Sequence, residues 1–372
     1  MAAQHVSPHT ASERVVSIDA LRGFDMFWIT GGGALIHALY RTFPNSFFQA
    51  LHTQFRHVPW AGFRFYDLIF PLFLFIVGAV LPYSILRKLE RGASRREIYW
   101  RVVRRTILLF ILGLVYNGLL DFEFDHFRIA GVLQRIALCY FFAALIVLNF
   151  GLRGQILWMG GLLVGYWAVM KLVPVPGYGA GNLTPQGNLA AYIDQLFLPG
   201  RFCCYAFGDN EGILSTIPAV GTTLLGVMAG HWLRTDRTPN TKAAGLAVAG
   251  VASLGLGLLW SLDFPIIKNI WTSSYVLYAG GWSLLLLALF YWIIDVKGWR
   301  RWAFFFIVIG VNPITIYVLQ SQFDFRTVAA IFIRGFVDHC GSYQLLVWVV
   351  TVVAVKWLFL YHLYRQRIFL RV

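Results

Sequence analysis

The sequence predicts an all-α fold, a polytopic transmembrane helical bundle of about ten spans, on three observations. Hydrophobic residues fill 58% of the 372 positions and charged residues only 13%, about half the charged share of an ordinary soluble domain. Apolar runs of about 20 residues, the length a helix needs to cross a hydrocarbon core of about 30 Å, recur along the whole chain. Those runs lack the strict two-residue alternation of a membrane β-strand. A soluble fold of this size could not cover its surface with so few charges. A disordered or fibrous chain would not carry 32 Phe, 14 Trp and 17 Tyr.

The spans are expected near 23–40, 66–86, 105–120, 129–149, 155–173, 212–232, 243–260, 274–294, 302–320 and 343–363. The first follows a short charged stretch and contains a run of three glycines, and the second is close to unbroken in apolar side chains. The third leaves a basic loop, the sixth follows Asp209-Asn210-Glu211, the ninth is interrupted by Pro313, and the tenth carries Lys356. The stretch 325–338 is short and holds Arg326 and Arg334, which suits an interfacial or re-entrant helix and would make eleven spans only if it crossed. Residues 1–22 form a polar segment without the pattern of a cleaved leader, 23–363 the membrane domain, and 364–372 a tail. No internal repeat stands out.

A net charge of +14 would suggest nucleic acid in a soluble protein, but here it follows topology. With the N-terminus cytoplasmic, the inside segments collect about twenty Lys and Arg, from Arg14 to Arg371, against about nine outside, as the positive-inside bias requires. Both termini are then cytoplasmic, and no nucleic-acid partner is expected. The four cysteines show no metal spacing. Cys203, Cys204 and Cys340 all fall outside, where an oxidising compartment would permit a disulfide, Cys340 with either of the other two being one that could form.

Ionisable groups within a bilayer are costly and need a reason. Asp19, Arg22 and Asp25 stand at spacings of three on one helical face. Asp19 and Arg22 read as a helix-end ion pair, and the deeper Asp25 as a structural partner or a pathway residue. Gly31 and Gly32 within Gly31–Gly33 suit tight helix packing or a bend beside a cavity. His57 and Asp67 are ten residues apart and meet only if their loop folds back onto the helix start. Such a pair would fix the imidazole tautomer and leave a general base or nucleophile. Arg128 and Arg135, seven apart, suit either an ion pair or an anion, with Gln134 beside them. Glu211 is a contact for a substrate amine or hydroxyl, or a helix N-terminal charge. Asn312 precedes a kinking proline, where backbone groups are left free beside cavities. Lys356 needs a partner that the sequence does not name.

The blocks SIDALRGFDMFWITGGG, HVPWAGFRFYDLIFPLFLFIVG, RIAGVLQRIALCYF, DNEGILSTIPAVGTTLLGVMAG and NPITIYV, closed by LYRQRIFLRV, resemble in order those of the heparan-α-glucosaminide N-acetyltransferase family. The resemblance runs from about residue 14 to the C-terminus. It implies a membrane enzyme that takes acetyl from cytosolic acetyl-CoA and delivers it to the amine of a terminal glucosamine outside. It makes His57, in His57-x-x-Trp60-x-Gly62, the catalytic histidine, as general base or acetyl carrier, and Asp67 its acid. The chain departs from the family in carrying Ile29-Thr30 where members have an asparagine before the glycines.

From the reading of the polar positions together with this resemblance, Trp60, Arg128, Gln134, Glu211 and Asn312 are expected at the acceptor. Asp25, Gly31, Gly32, Arg101, Arg104, Arg105 and Arg135 are expected along acetyl-CoA, whose phosphates the arginine-rich face would attract. The expected partners are an amino-sugar or other glycan acceptor, acetyl-CoA, membrane lipids and a second copy of the chain, with no metal. The expected location is a bacterial inner membrane. Two rival readings share the architecture: an O-acyltransferase of an envelope glycan or lipid headgroup, and a transporter or flippase using Asp25, Arg135 and Lys356 as pathway residues.

Overall fold

The computed structural model describes residues 15–123 and 127–369. Arg14 and Arg371, counted above among the inside charges, and the outer parts of both terminal segments lie outside the described residues. Helices run as α1 Val16–Phe27, α2 Gly33–Thr42, α3 Ser46–Gln54, α4 Phe65–Leu81, α5 Arg87–Glu90, α6 Arg95–Tyr116, α7 Val132–Asn149 and α8 Leu152–Leu172. They continue as α9 Leu189–Phe197, α10 Thr216–Leu233, α11 Pro239–Trp260, α12 Ser273–Tyr291, α13 Phe304–Gly310, α14 Pro313–Gln322, α15 Phe325–Val337 and α16 Gln344–Arg365. Two short hairpins, Pro174–Val175 with Gly179–Ala180 and Cys204–Tyr205 with Gly208–Asp209, lie in the connection from α8 to α10.

Among the described residues, six helices are long and apolar enough to cross a membrane, or seven if the α13–α14 pair, bent by 69°, is one span. These seven match seven of the ten expected runs. The other three runs are also helical, but fall short by length and composition. The first is broken at Gly31, whose backbone leaves the helical region within the π-helical turn Trp28–Gly32. The third lies in α6, which opens with Arg95, Arg96, Arg101, Arg104 and Arg105. The sixth begins only at Thr216. The first helix starts at Val16, ahead of the boundary at residue 23. At 13 residues, α15 is too short to cross.

The cysteine pairing differs from expectation. Cys203 bonds to its neighbour Cys204, and Cys340 is a free thiol. The hairpin that begins at Cys204 holds this pair beside Asp209, and Cys340 precedes the helical turn Gly341–Tyr343.

Small residues let the central helices touch backbone to backbone, the usual device where lipid removes the hydrophobic drive for helix association. On α4, a Cβ at Gly78 would lie 1.9 Å from the Thr223 carbonyl oxygen of α10; reciprocally, one at Gly226 would lie 1.9 Å from that of Phe75. Gly23 of α1 and Gly310 of α13 interlock in the same way, as do Gly250 of α11 and Gly281 of α12. The bundle core is centred on α4, whose Leu72, Leu74 and Phe75 have no exposed surface. The loop of His57 leads into its N-terminus, and its C-terminus reaches the arginine-rich end at α5 and α6.

Gly78→Val should therefore cost about 1–3 kcal/mol by overpacking and lower the unfolding temperature of the purified protein in detergent. Gly165→Val on α8, where nothing lies within 4 Å of the added carbon, should leave it unchanged. Equal melting of the two variants would mean that α4 and α10 do not depend on this contact.

Candidate active site

Asp67 sits in the first turn of α4 with no exposed surface. Its Oδ2 accepts the Arg64 N–H at 3.0 Å and the Val58 N–H at 3.4 Å, which folds the preceding loop back onto the helix start. That loop is tied a second time, because the Gly62 N–H donates to the Ile266 carbonyl at 2.9 Å. Gly62 adopts φ +123°, a conformation open to glycine. The fold-back brings His57 Nδ1 to 2.7 Å from Asp67 Oδ1. With Nδ1–H donating to the carboxylate, the lone pair resides on Nε2. The ring is half-exposed, and the protein group beside that nitrogen is Lys268.

Lys268 completes the cluster from the loop before α12. Its Nζ lies 2.9 Å from His57 Nδ1, 3.2 Å from Nε2 and 3.4 Å from Asp67 Oδ1. Since Nδ1 spends its proton on Asp67 and has no lone pair left, Nε2 and the carboxylate are the polar partners of this ammonium. Burial pushes the Lys268 ammonium below the usual lysine range, while the Asp67 and Glu211 carboxylates pull it back up. The Tyr275 hydroxyl donates to the Asp67 carbonyl at 2.7 Å, and the Tyr66 ring lies 5.0 Å from that of His57. Sequence reasoning counted Lys268 only as one of the outer basic residues. Its signal was a single cation in DFPIIKNIWTSS, between Ile267, Ile270 and Trp271, which are all buried.

Trp60 is half-buried, donates Nε1–H to the Leu183 carbonyl at 2.9 Å and packs against Tyr205. Arg128 and Arg135 do not share a helical face, because α7 begins only at Val132. Arg128 Nε donates to Asp209 Oδ2 at 2.7 Å, and its Nη2 to Asp209 Oδ1 and Glu211 Oε2. Burial opposes that charge, but the two carboxylates overcome it and raise the Arg128 pKa. Arg128 is thus already occupied by acids, which is the ion-pair reading. Arg135 is buried, donates Nη2–H to the Gly212 carbonyl at 3.2 Å and to Ser215, and stacks over Trp271. The Gln134 amide, close against Gly113 and Gly131, has no hydrogen-bond partner among the described residues. Asp194 was not foreseen. It accepts the Asp209 and Ile213 N–H groups at 3.1 and 2.9 Å and shapes the turn that presents Glu211. Burial raises its pKa to about 6.

Three cavities follow one another from the arginine-rich end toward the His57 loop. The first, of about 320 Å³, is lined by Ser84, Lys88, Arg101, Arg104, Arg105 and Tyr140. The second, of about 240 Å³, shares Ser84, Arg105 and Tyr140 with it and extends to Phe73, Pro313 and Ile314. The third, of about 20 Å³, shares Phe73, Pro313 and Ile314 with the second and ends against Phe70, one helical turn below Asp67. Arg105 stacks over Tyr140, and Arg101 is held by Glu97.

Other expected contacts fall elsewhere. Gly31 and Gly32 line none of these cavities. An added Cβ would meet Val353 at 2.5 Å or the Trp28 ring at 2.4 Å, so both glycines serve packing. Asn312 lies by the arginine end of this seam, its Nδ2 on the Ile368 carbonyl at 3.0 Å, and not at His57. Asp25 is buried without a hydrogen-bond partner among the described residues. Lys356 finds its partners in the Thr30 carbonyl at 2.7 Å, beside the break at Gly31, and in Gln320 Oε1 at 3.2 Å.

The model of the heparan-alpha-glucosaminide N-acetyltransferase catalytic family matches residues 14–262. The chain belongs to this family. The match contains His57, Asp67, Arg128, Arg135, Asp209 and Glu211, and Lys268 lies just past it. Two relatives named heparan-alpha-glucosaminide N-acetyltransferase are similar. The human protein is 31% identical over 326 residues, 73% of this chain and 49% of the relative. The mouse protein is 29% identical over 378 residues, 86% of this chain and 56% of the relative. The chain thus spans about half the length of the curated relatives it matches. A protein of Myxococcus xanthus named undecaprenyl-diphosphatase is 26% identical over 230 residues, 57% of this chain and 72% of the relative. Family membership and the apolar helices together make this a multi-pass membrane protein.

The balance of charges at Lys268 is open to a direct check. Pulse labelling with an amine-reactive reagent across pH should give Lys268 a midpoint below that of an ordinary lysine. Asp67→Asn removes an anion that favours the ammonium, so its midpoint should fall further. An unchanged midpoint in the variant would separate Lys268 from the His57–Asp67 pair.

Proposed function

We propose that the protein is a transmembrane N-acetyltransferase that moves an acetyl group from acetyl-CoA to the amine of a glucosamine-type sugar. The reading is carried by the His57–Asp67 hydrogen bond at the far end of a seam of cavities that begins among Arg101, Arg104 and Arg105. A coenzyme with several phosphates is attracted to those guanidinium groups, which offer forked donors to phosphate. Its pantetheine arm extends past Tyr140, Phe73 and Pro313 toward Phe70, which directs the thioester to the His57 side of α4. The 17 residues from Asp67 to Ser84 make about 25 Å of helix, so the two ends of the seam stand at opposite faces of the membrane. In this reading all ten apolar runs cross, the arginine end and both termini are cytoplasmic, and the acceptor comes from outside, in a bacterial inner membrane.

The acceptor nitrogen attacks the thioester carbonyl while Nε2 of His57 accepts its proton. The resulting imidazolium is held by Asp67 through Nδ1–H. The Lys268 ammonium, next to Nε2, lies where negative charge develops on the carbonyl oxygen and steadies it. Collapse breaks the C–S bond, and the thiolate of CoA takes the proton back from His57. An amide and free CoA are the products. Trp60 and Glu211 flank the acceptor, with Glu211 favouring an ammonium before it is deprotonated.

With labelled acetyl-CoA and a panel of glucosamine, peptidoglycan fragments and hydroxyl-only sugars, CoA release should depend on an amine acceptor. His57→Ala should lower kcat by about a hundred- to ten-thousandfold. Lys268→Met should lower kcat by about ten- to a hundredfold with little change in the KM for acetyl-CoA. Acceptance of hydroxyl-only sugars would make the enzyme an O-acyltransferase. Solute uptake without CoA release would make it a transporter.

Sidedness is checked separately. In a Cys340→Ala background, a membrane-impermeant thiol probe on intact cells should label Phe47→Cys, close to the His57 loop, and spare Arg96→Cys. The reverse pattern would invert the bundle and place CoA binding outside.

A further inference from the structure

A fourth cavity lies apart from the seam used by acetyl-CoA in these steps. It encloses about 680 Å³ between α7, α8 and α10. Its lining follows α7 from Gln134 to Asn149, about 22 Å of helix, which is most of a hydrocarbon core about 30 Å deep. Phe142, Trp158 and Ile217 on its walls are 46%, 43% and 38% exposed, so the groove opens sideways toward lipid. At the far end Asn149 is satisfied by Tyr99 and the Leu145 carbonyl. The unanswered polar groups gather at the other end.

There Arg135, 1% exposed, leaves Nε and Nη1 without a hydrogen-bond partner among the described residues, and its Nη2 meets only the neutral Gly212 carbonyl and Ser215. The Gln134 amide beside it is also unpaired. Glu211, on the same wall, is close enough for its carboxylate to act on Lys268. Trp271 stacks on the guanidinium, but its two free N–H donors are answered best by an anion, and a soluble sugar has no use for a long apolar wall. From the bilayer inward, the groove presents an apolar track, then a cation with free donors, then a carboxylate whose charge reaches Lys268.

We propose that this groove binds the acceptor as a lipid-linked amino sugar, with its chain along α7, its linking phosphate on Arg135 and Gln134, and its amine between Glu211 and His57. The proposal rests on the acetyl-transfer reading and names the substrate class for it. It makes the sugar arrive laterally through the membrane, while acetyl-CoA arrives along the separate seam.

The test compares glucosamine 1-phosphate with its phosphodiester to a long saturated alkyl chain, and adds a photoreactive form of that diester. The KM for the diester should lie at least about tenfold below that for the monoester, since each buried methylene adds affinity. Leu162→Trp, which fills the groove away from the reacting groups, should raise the diester KM about tenfold and leave monoester turnover unchanged, which also shows that the variant folds. Crosslinks should fall on α7, α8 and α10, vanish in Leu162→Trp and survive an excess of phosphatidylglycerol vesicles. Equal KM values for the two acceptors in the wild type would overturn the proposal. So would crosslinks that phosphatidylglycerol competes away, which would make the groove an ordinary phospholipid site. Groove crosslinks with no turnover of either acceptor would support the lipid site and sink the acetyl-transfer reading instead.

Discussion

A carboxylate with no exposed surface must have its lone pairs answered by the protein, and Asp67 organises the outer end of the bundle by that demand. The N–H groups of Arg64 and Val58, the ring of His57 and the ammonium of Lys268 all converge on its two oxygens. The first two contacts curl the loop, the third fixes the imidazole tautomer, and the fourth draws in a second loop more than two hundred residues away. Without that one acid, His57 would be a surface histidine and Lys268 a buried cation without its closest counter-charge. Tyr275 anchors the backbone of Asp67 from α12, so the loop is tied to the core as well as to itself.

What was legible in the sequence followed from local spacing. Apolar runs of bilayer length mark helices because a lipid-facing backbone must satisfy itself. The ten-residue interval from His57 to Asp67 bridges one loop and a helix start, close enough along the chain to be posed as a pair. Arg128 with Arg135 looked equally local and misled, because the extended backbone through Gly131 separates them and the acids that claim Arg128 come from 81 and 83 residues away. The glycines Gly31 and Gly32 were legible as packing or as a bend, and the side chains of Val353 and Trp28 decide for packing. Lys268 was not legible as a site residue because everything that gives it meaning lies beyond its own loop.

The division of charge also acquires a physical sense. At the arginine end, guanidinium groups line two cavities, and of these Arg101 is paired with Glu97. At the His57 end two buried cations are claimed by specific acids, Arg128 by Asp209 and Glu211 and Lys268 by Asp67, since an unpaired charge there would meet low dielectric. Arg135 breaks this pattern: it is as buried as the others, yet its acceptors are a neutral carbonyl and a hydroxyl.

On the proposed transfer, the exception bears on how two substrates would reach one reacting centre. If both came through the seam beside α4, the acceptor would have to pass the coenzyme, since the narrowest cavity there is only about 20 Å³. A second approach on the other side of α7 removes that conflict. Helix α7 then serves as the partition, with Ile136 facing the seam on one side and Leu138 and Phe142 facing the lateral groove on the other. Its first turn holds Gln134 and Arg135, and Arg135 stacks over Trp271, three residues along the chain from Lys268. A partition of this kind keeps the thioester away from lipid and water until an amine is in place, which is the condition under which transfer to the sugar outcompetes hydrolysis.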